Sequence, residues 1–209
     1  MYWEEGNMRR IFIILGLIGL LAWPQAAVAD QDPPRTVGGI KLGGLLEDYK
    51  DKLRMNTVLP IRHAETLKEV EVKEIPGFKS GLVYYGTCNQ PPRILRIKLK
   101  YEQSSKKFYD KLLDRYKQRF GNPSEWRGDP FKVVIAWKWS FTDADGNSIS
   151  MILLHNTEKY GQKMGNVVKL AYPDLIVDEI ECYDKKHPGE RGEEGDWTKD
   201  PTWDQLLPE

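Results

Sequence analysis

The sequence predicts an α+β domain: two helix-plus-three-strand units, with both helices packed on one face of an antiparallel sheet. Three observations predict it. Apolar stripes at helical spacing begin near residues 44 and 105. Each stripe is followed by three runs with strand-like alternation. Proline, glycine and Asp-Gly signals punctuate the breaks between the runs.

Composition bounds the problem first. The chain has 209 residues, 31 bases against 31 acids, 40% hydrophobic and 30% charged residues. That excludes a collagen, a multi-span membrane protein and a wholly disordered chain. Two cysteines exclude a cysteine-dense scaffold and a four-cysteine zinc site.

Residues 1–29 read as a secretory signal peptide and stand outside the fold. Arg9 and Arg10 precede a charge-free run of 13 residues, Ile11 to Trp23. Pro24 breaks the run, and Ala27-Val28-Ala29 places small residues at minus three and minus one. A spanning helix needs about 20 apolar residues, so a retained anchor is the alternative reading, and no stable membrane span is expected after cleavage. No Cys follows the small residues, so the lipid-anchored form of the signal is absent. Met8 directly precedes the arginines and is a second candidate start. The expected location is periplasmic or extracellular. In such an oxidising compartment Cys88 and Cys182 are read as a disulfide, with two separate buried thiols as the alternative.

The elements follow in order. Residues 30–38 are a polar linker holding Pro33-Pro34, and the domain is expected over 39–183. After a glycine-rich lead-in, Leu45, Leu46, Tyr49 and Leu53 predict a first helix over 44–55. Strands are expected at Lys68–Glu74, Gly81–Gly86 and Arg93–Tyr101, the last alternating Leu95, Ile97, Leu99 against Arg96, Lys98, Lys100. A second helix over 105–120 carries the stripe Phe108, Leu112, Leu113, Tyr116, Phe120 and stops at Gly121 and Pro123. The second strand set is Phe131–Phe141, Ser148–Asn156 and Gly165–Tyr172, with Asp145-Gly146 as a hairpin turn. Pro173–Tyr183 is a short element of open type, with Val177, Ile180 and Tyr183 at helical spacing. Residues 184–209 carry eight acids against four bases and many Pro and Gly, and read as an acidic disordered tail.

Two stretches carry a resemblance. Gly39-Ile40-Lys41-Leu42-Gly43 before a helix is one. Phe108, Leu112, Tyr116 and Arg119-Phe120-Gly121-Asn122-Pro123, followed by a strand bearing Trp137 and Trp139, is the other. Together they resemble small exported domains of the BamE and β-lactamase-inhibitor-protein type, over residues 39–175. The resemblance implies protein binding and not catalysis, and it assigns no binding residue.

Candidate chemistry is sparse. Asp143, Asp145 and Asn147 invite a calcium loop, but the positions wanting Gly and Glu hold Ser148 and Leu154, so a polar turn is the reading. His63, His155 and His187 have no metal-ligand spacing, and His155 is expected as a hydrogen-bonded surface or rim residue. No metal and no cofactor is expected. No nucleophile-elbow, P-loop or dinucleotide fingerprint occurs. Trp137 and Trp139 read as core, and Trp126 as the candidate exposed aromatic contact, with packing within its loop as the plainer reading. The candidate binding surface is the face opposite the core: Arg96, Lys98, Lys100, Lys132, Lys138 and Lys169, a field for an anionic partner. A solvated face kept soluble by its charge is the plainer alternative. The expected function is a non-catalytic binding or interaction role in the cell envelope, with an envelope protein or an anionic polymer as partner and no nucleic acid. The rivals are a carboxylate-based hydrolase and a purely structural envelope component.

Overall fold

A computed structural model describes residues 32–61, 64–156 and 165–188, all within one unit, Gln31–Glu209. The expected signal peptide, His63 and the tail from 189 onward lie outside the described residues.

The described chain opens with a small hairpin, β1 (Thr36–Val37) and β2 (Ile40–Lys41), that turns through Gly38 and Gly39 at positive φ. Ile40 and Leu42 then enter the core. The stretch expected as a first helix forms two 3-10 turns instead, Leu46–Lys52 and Met55–Thr57. Its ends are tied to the sheet, Leu45 bridged to Arg93 and Leu53 to Val72. A segment held at both ends favours the longer rise of a 3-10 helix, about 2.0 Å per residue against 1.5 Å. Its apolar residues still point inward, and Leu46 and Leu53 are buried.

Four strands follow: β3 (Leu59–Ile61), β4 (Ala64–Glu71), β5 (Phe78–Gly86) and β6 (Ile94–Tyr101). Helix α1 (Lys106–Phe120) begins where the Ser105 hydroxyl accepts the Phe108 N–H and ends at Gly121, φ 76°. Then come β7 (Glu125–Trp126), β8 (Val134–Thr142), β9 (Ser148–Asn156), β10 (Asn166–Ala171) and helix α2 (Pro173–Lys186). The sheet order is β3-β4-β5-β6-β10-β9-β8-β7. Each half of the chain therefore runs from a sheet edge to the centre, where β6 and β10 pair antiparallel.

This corrects the expected architecture. The protein is mostly β, an eight-stranded antiparallel sheet with a separate two-stranded hairpin, and not two helix-plus-three-strand units. The short edge strands β3 and β7 carry too few residues to show alternation, and the second α-helix follows the last strand. Nor do the helices share a face. Leu112, Leu113, Tyr116 and Phe120 of α1 pack on the core that holds Ile97, Leu99, Trp139, Met151, Val168 and Leu170. Helix α2 crosses one end of the opposite face, where Pro173 and Ile176 border Tyr84, Arg96 and Lys169. We call these the closed face and the open face.

One strand also starts late. Residues 131–133 were expected to open β8, yet Phe131 is 88% exposed. The Asp129 carboxylate accepts the backbone N–H groups of Phe131, Val133 and Val134 and closes a turn there. Those bonds pull its pKa below the usual carboxylate value, the Val134 N–H most strongly.

Helix α2 is pinned from two sides. Cys88 and Cys182 form a disulfide, with Cα atoms 6.0 Å apart. One turn earlier, the buried Glu179 carboxylate accepts the N–H groups of Cys88 (2.9 Å) and Asn89 (3.1 Å) and the Thr66 hydroxyl (3.3 Å). A side chain at Gly86 would collide with that carboxylate. At the end of the helix, the Lys186 ammonium donates to the Cys88 carbonyl.

Candidate functional site

The alternation of β6 puts Ile97 and Leu99 on the closed face and Arg96, Lys98 and Lys100 on the open one, and a register shift opposite Tyr84 and Tyr85 brings Ile94 into the closed-face core. The register then decides what stands beside them. Lys98 lies directly opposite Lys169 on β10, Arg96 opposite Ala171, and Lys100 opposite Val167. Beyond Lys169 comes Ile152 of β9, and beyond that Lys138 of β8. Four of the six expected cations, Arg96, Lys98, Lys100 and Lys169, are thus brought together on the two central strands.

They line two adjoining hollows that share Lys98. One, of about 500 Å³, is walled by α2 and holds Tyr84, Arg96, Lys98, Ser150, Ile152 and Lys169. The other, of about 330 Å³, lies toward β4 and adds Arg54, Lys73, Lys79 and Lys100 to the carboxylates Glu71 and Glu74. Among the described residues, no carboxylate forms an ion pair with Arg96, Lys98 or Lys169, whereas Glu71 is engaged by Arg54. The Arg96 guanidinium lies 5.2 Å from the centre of the Tyr84 ring. Burial lowers the Lys169 pKa, and the charges of Lys98 and Arg96 lower it further. Lys100 is lowered likewise, by burial first and then by Lys79 and Lys98. The groove is thus an electropositive strip whose members repel one another.

The remaining expected residues fall elsewhere. Lys132 sits in the Asp129 turn with φ 57°, off the strand and off the strip. Lys138 shares the open face but is paired with Glu125 at 3.5 Å. Trp126 is 37% exposed and meets Trp137 edge-on at 4.9 Å, on the closed-face side of the sheet edge. The carboxylate of Asp143 is occupied by its own turn. It accepts the N–H groups of Asp145 and Asn147 and the Tyr172 hydroxyl. Burial alone would raise its pKa, but these bonds outweigh it and lower it. Tyr172 is pushed up to about 12, by burial first and then by Asp143. The described residues contain no group of three or more His, Cys, Asp or Glu placed to hold a metal ion.

His155 is buried and not a rim residue. Its Nδ1 is 2.7 Å from the Asn166 side-chain oxygen, while the Asn166 amide donates to the Gln103 and Ser105 carbonyls. The carboxamide oxygen is therefore the acceptor, and Nδ1 carries a proton. This network ties β9 and β10 to the start of α1. Sequence reading missed Glu179 too, because an acid on an amphipathic helix looks like any solvent-facing acid. Only the Gly86 contact marks it.

No protein-family model, curated protein or solved structure matches the chain.

Proposed function

We propose that this chain is a non-catalytic binding protein of an oxidising compartment outside the cytoplasm, and that the strip Arg96–Lys98–Lys169 takes anionic groups of a polymer or partner. The observation that carries the proposal is the register of Lys98 against Lys169. Like charges directly opposite on neighbouring strands oppose pairing, on a scale of about 0.2–1 kcal/mol. A merely soluble surface gains nothing from that arrangement when Glu or Gln would serve as well. An anion relieves it, since one acceptor reaches two or three donors at once. The disulfide supports the compartment. Among the described residues, no helix is long and apolar enough to cross a membrane.

The hydrolase alternative needs a carboxyl group held protonated near neutral pH. Among the described residues the carboxyl groups with a resolved shift, Asp129, Asp143 and Asp174, are all shifted downward.

The test is titration with a short polyphosphate chain at low salt. The triple variant Arg96→Gln/Lys98→Gln/Lys169→Gln should bind about tenfold more weakly or worse, and added salt should erase the difference, because exposed charges are screened within about 8–10 Å. Equal binding by the two proteins, or none by the wild type, returns the strip to a solvated surface.

A further inference from the structure

The open-face strip has a spacing as well as a charge. Arg96 and Lys98 stand two apart on β6, about 7 Å along the strand. Lys169 faces Lys98 from β10, one strand spacing or about 4.8 Å away. The hollow they line is walled by Pro173 and Ile176 of α2, and the rest of its lining, Tyr84, Ser150, Ile152 and Ala171, holds no acid. Apolar walls beside a charge strengthen an ion pair formed there. An occupant with two negative charges at the pitch of alternate strand residues would meet all three cations.

The chain carries such a segment. Residues 192–196 read Gly-Glu-Glu-Gly-Asp, with no base among them and with Glu194 and Asp196 two apart. In extended form those two carboxylates stand on one side of the segment, again about 7 Å apart. The charge of the chain is divided to match. From Asp184 onward there are eight acids against four bases, and because the whole chain is neutral the residues before it hold the opposite excess.

The segment is also within reach. Helix α2 has 14 residues and is about 21 Å long, with Pro173 at the hollow and Lys186 at the far end. Glu194 lies eight residues beyond Lys186, so an extended chain carries it about 26–29 Å. That suffices to run back along the helix to Arg96 and Lys98. The starting point is fixed, because Cys182 is bonded to Cys88 and the Lys186 ammonium donates to the Cys88 carbonyl. So short a tether presents its acids at an effective concentration on the order of millimolar.

We infer that residues 192–196 seat on the strip, with the Glu194 and Asp196 carboxylates on Arg96, Lys98 and Lys169, and that a polymeric anion must displace them. The inference rests on the reading of the strip as an anion site and names the occupant that the chain itself supplies.

The experiment uses the protein expressed from the full chain and has two readouts. In the first, a carbodiimide joins carboxylates to amines in contact, with loss of water, and the monomer is mapped by mass spectrometry. Lys98 and Lys169 should join Glu194 or Asp196 at low salt, and the product should disappear at about 1 M salt, where charges are screened within about 3 Å. Absence of that product, or equal yield at the exposed Lys107 and Lys111 of α1, overturns the inference. In the second, Glu194→Gln/Asp196→Asn should bind short polyphosphate about threefold to tenfold more tightly than the wild type at low salt. The charge-matched variant Asp110→Asn/Asp114→Asn on α1 should show no such gain. The gain should also vanish when Arg96, Lys98 and Lys169 are all Gln. No gain in the segment variant, or an equal gain in the α1 variant, overturns the inference and leaves the strip as a polymer site. If no form binds polyphosphate, the polymer reading falls and the cross-link alone decides whether the segment sits there.

Discussion

The two faces of the sheet are written by the same strands, yet they are finished differently. On the closed face Ile97, Leu99, Trp139, Leu153 and Leu170 are almost wholly buried beneath α1 and the lead-in. On the open face a small apolar group, Ala136, Leu154 and Val167, is also buried, but it gives way to Arg96, Lys98 and Lys169 where α2 crosses. The difference teaches what each kind of residue demands. Apolar positions need only to be covered, and any element with an apolar stripe can do it. Charged positions depend on who stands opposite, and strand register alone decides that.

The largest effect should come from the closed face. Trp139 is 2% exposed, its indole N–H donates to the Gly121 carbonyl at 2.9 Å, and its ring lies 5.8 Å from that of Tyr116. It joins β8 to both the body and the end of α1. Trp139→Ala should cost about 3–5 kcal/mol in urea unfolding, the range for a buried aromatic. A cost under about 1 kcal/mol would mean that α1 is not held on the closed face as described.

The open face should fail more locally. Cys88→Ser/Cys182→Ser removes a link spanning 94 residues of sequence, worth about 4.7 kcal/mol by loop entropy, within the range of about 2–5 kcal/mol for removing a native disulfide. The Glu179 carboxylate still grips the Cys88 and Asn89 N–H groups in that variant. The expectation is that α2 opens ahead of the sheet. Its amides should exchange faster in hydrogen-exchange measurements, while those of β8 and β9 keep their protection. If α2 and β8 lose protection together, the faces are one cooperative unit and the contrast between them is false.

The same contrast explains what the sequence made legible. The six long strands were readable from apolar or alternating runs, although the first was expected at Lys68–Glu74 and lies at Ala64–Glu71, and α1 because Ser105, the apolar stripe and Gly121 agree. The disulfide was readable from two cysteines and the expectation of an oxidising compartment. The first helix was misread because its spacing is helical while its ends are bridged to Arg93 and Val72, next to β6 and β4, ties across the sequence that no local window contains. Phe131 was misread because alternation counted it in, while the Asp129 turn took it out. The cations of the open face were legible as a face, but not as a strip. The pairing of Lys98 with Lys169 joins positions 71 residues apart, and the loss of Lys132 depends on one turn.

The smallest effect sharpens the comparison most. Lys169 is half-buried beside Lys98 and Arg96, and its pKa is lowered from the ordinary lysine value of 10.5. A lowered lysine pKa means that the folded state disfavours the charged form. At neutral pH the wild type carries that cost. As pH rises through the folded-state pKa toward 10.5, the native side chain loses its proton before the unfolded one does, and the cost disappears. Lys169→Met removes the charge and keeps the stem, so it should stabilise the protein at pH 7 by about 0.2–1 kcal/mol. The gain over wild type should shrink as pH rises, which subtracts out the tyrosines common to both proteins. The same variant should bind polyphosphate more weakly. Stability gained and binding lost together would show a fold holding repelling charges in place for a ligand. Loss of stability at pH 7 would show that Lys169 is satisfied where it stands, and the open face would then be no more than the wet side of a sheet.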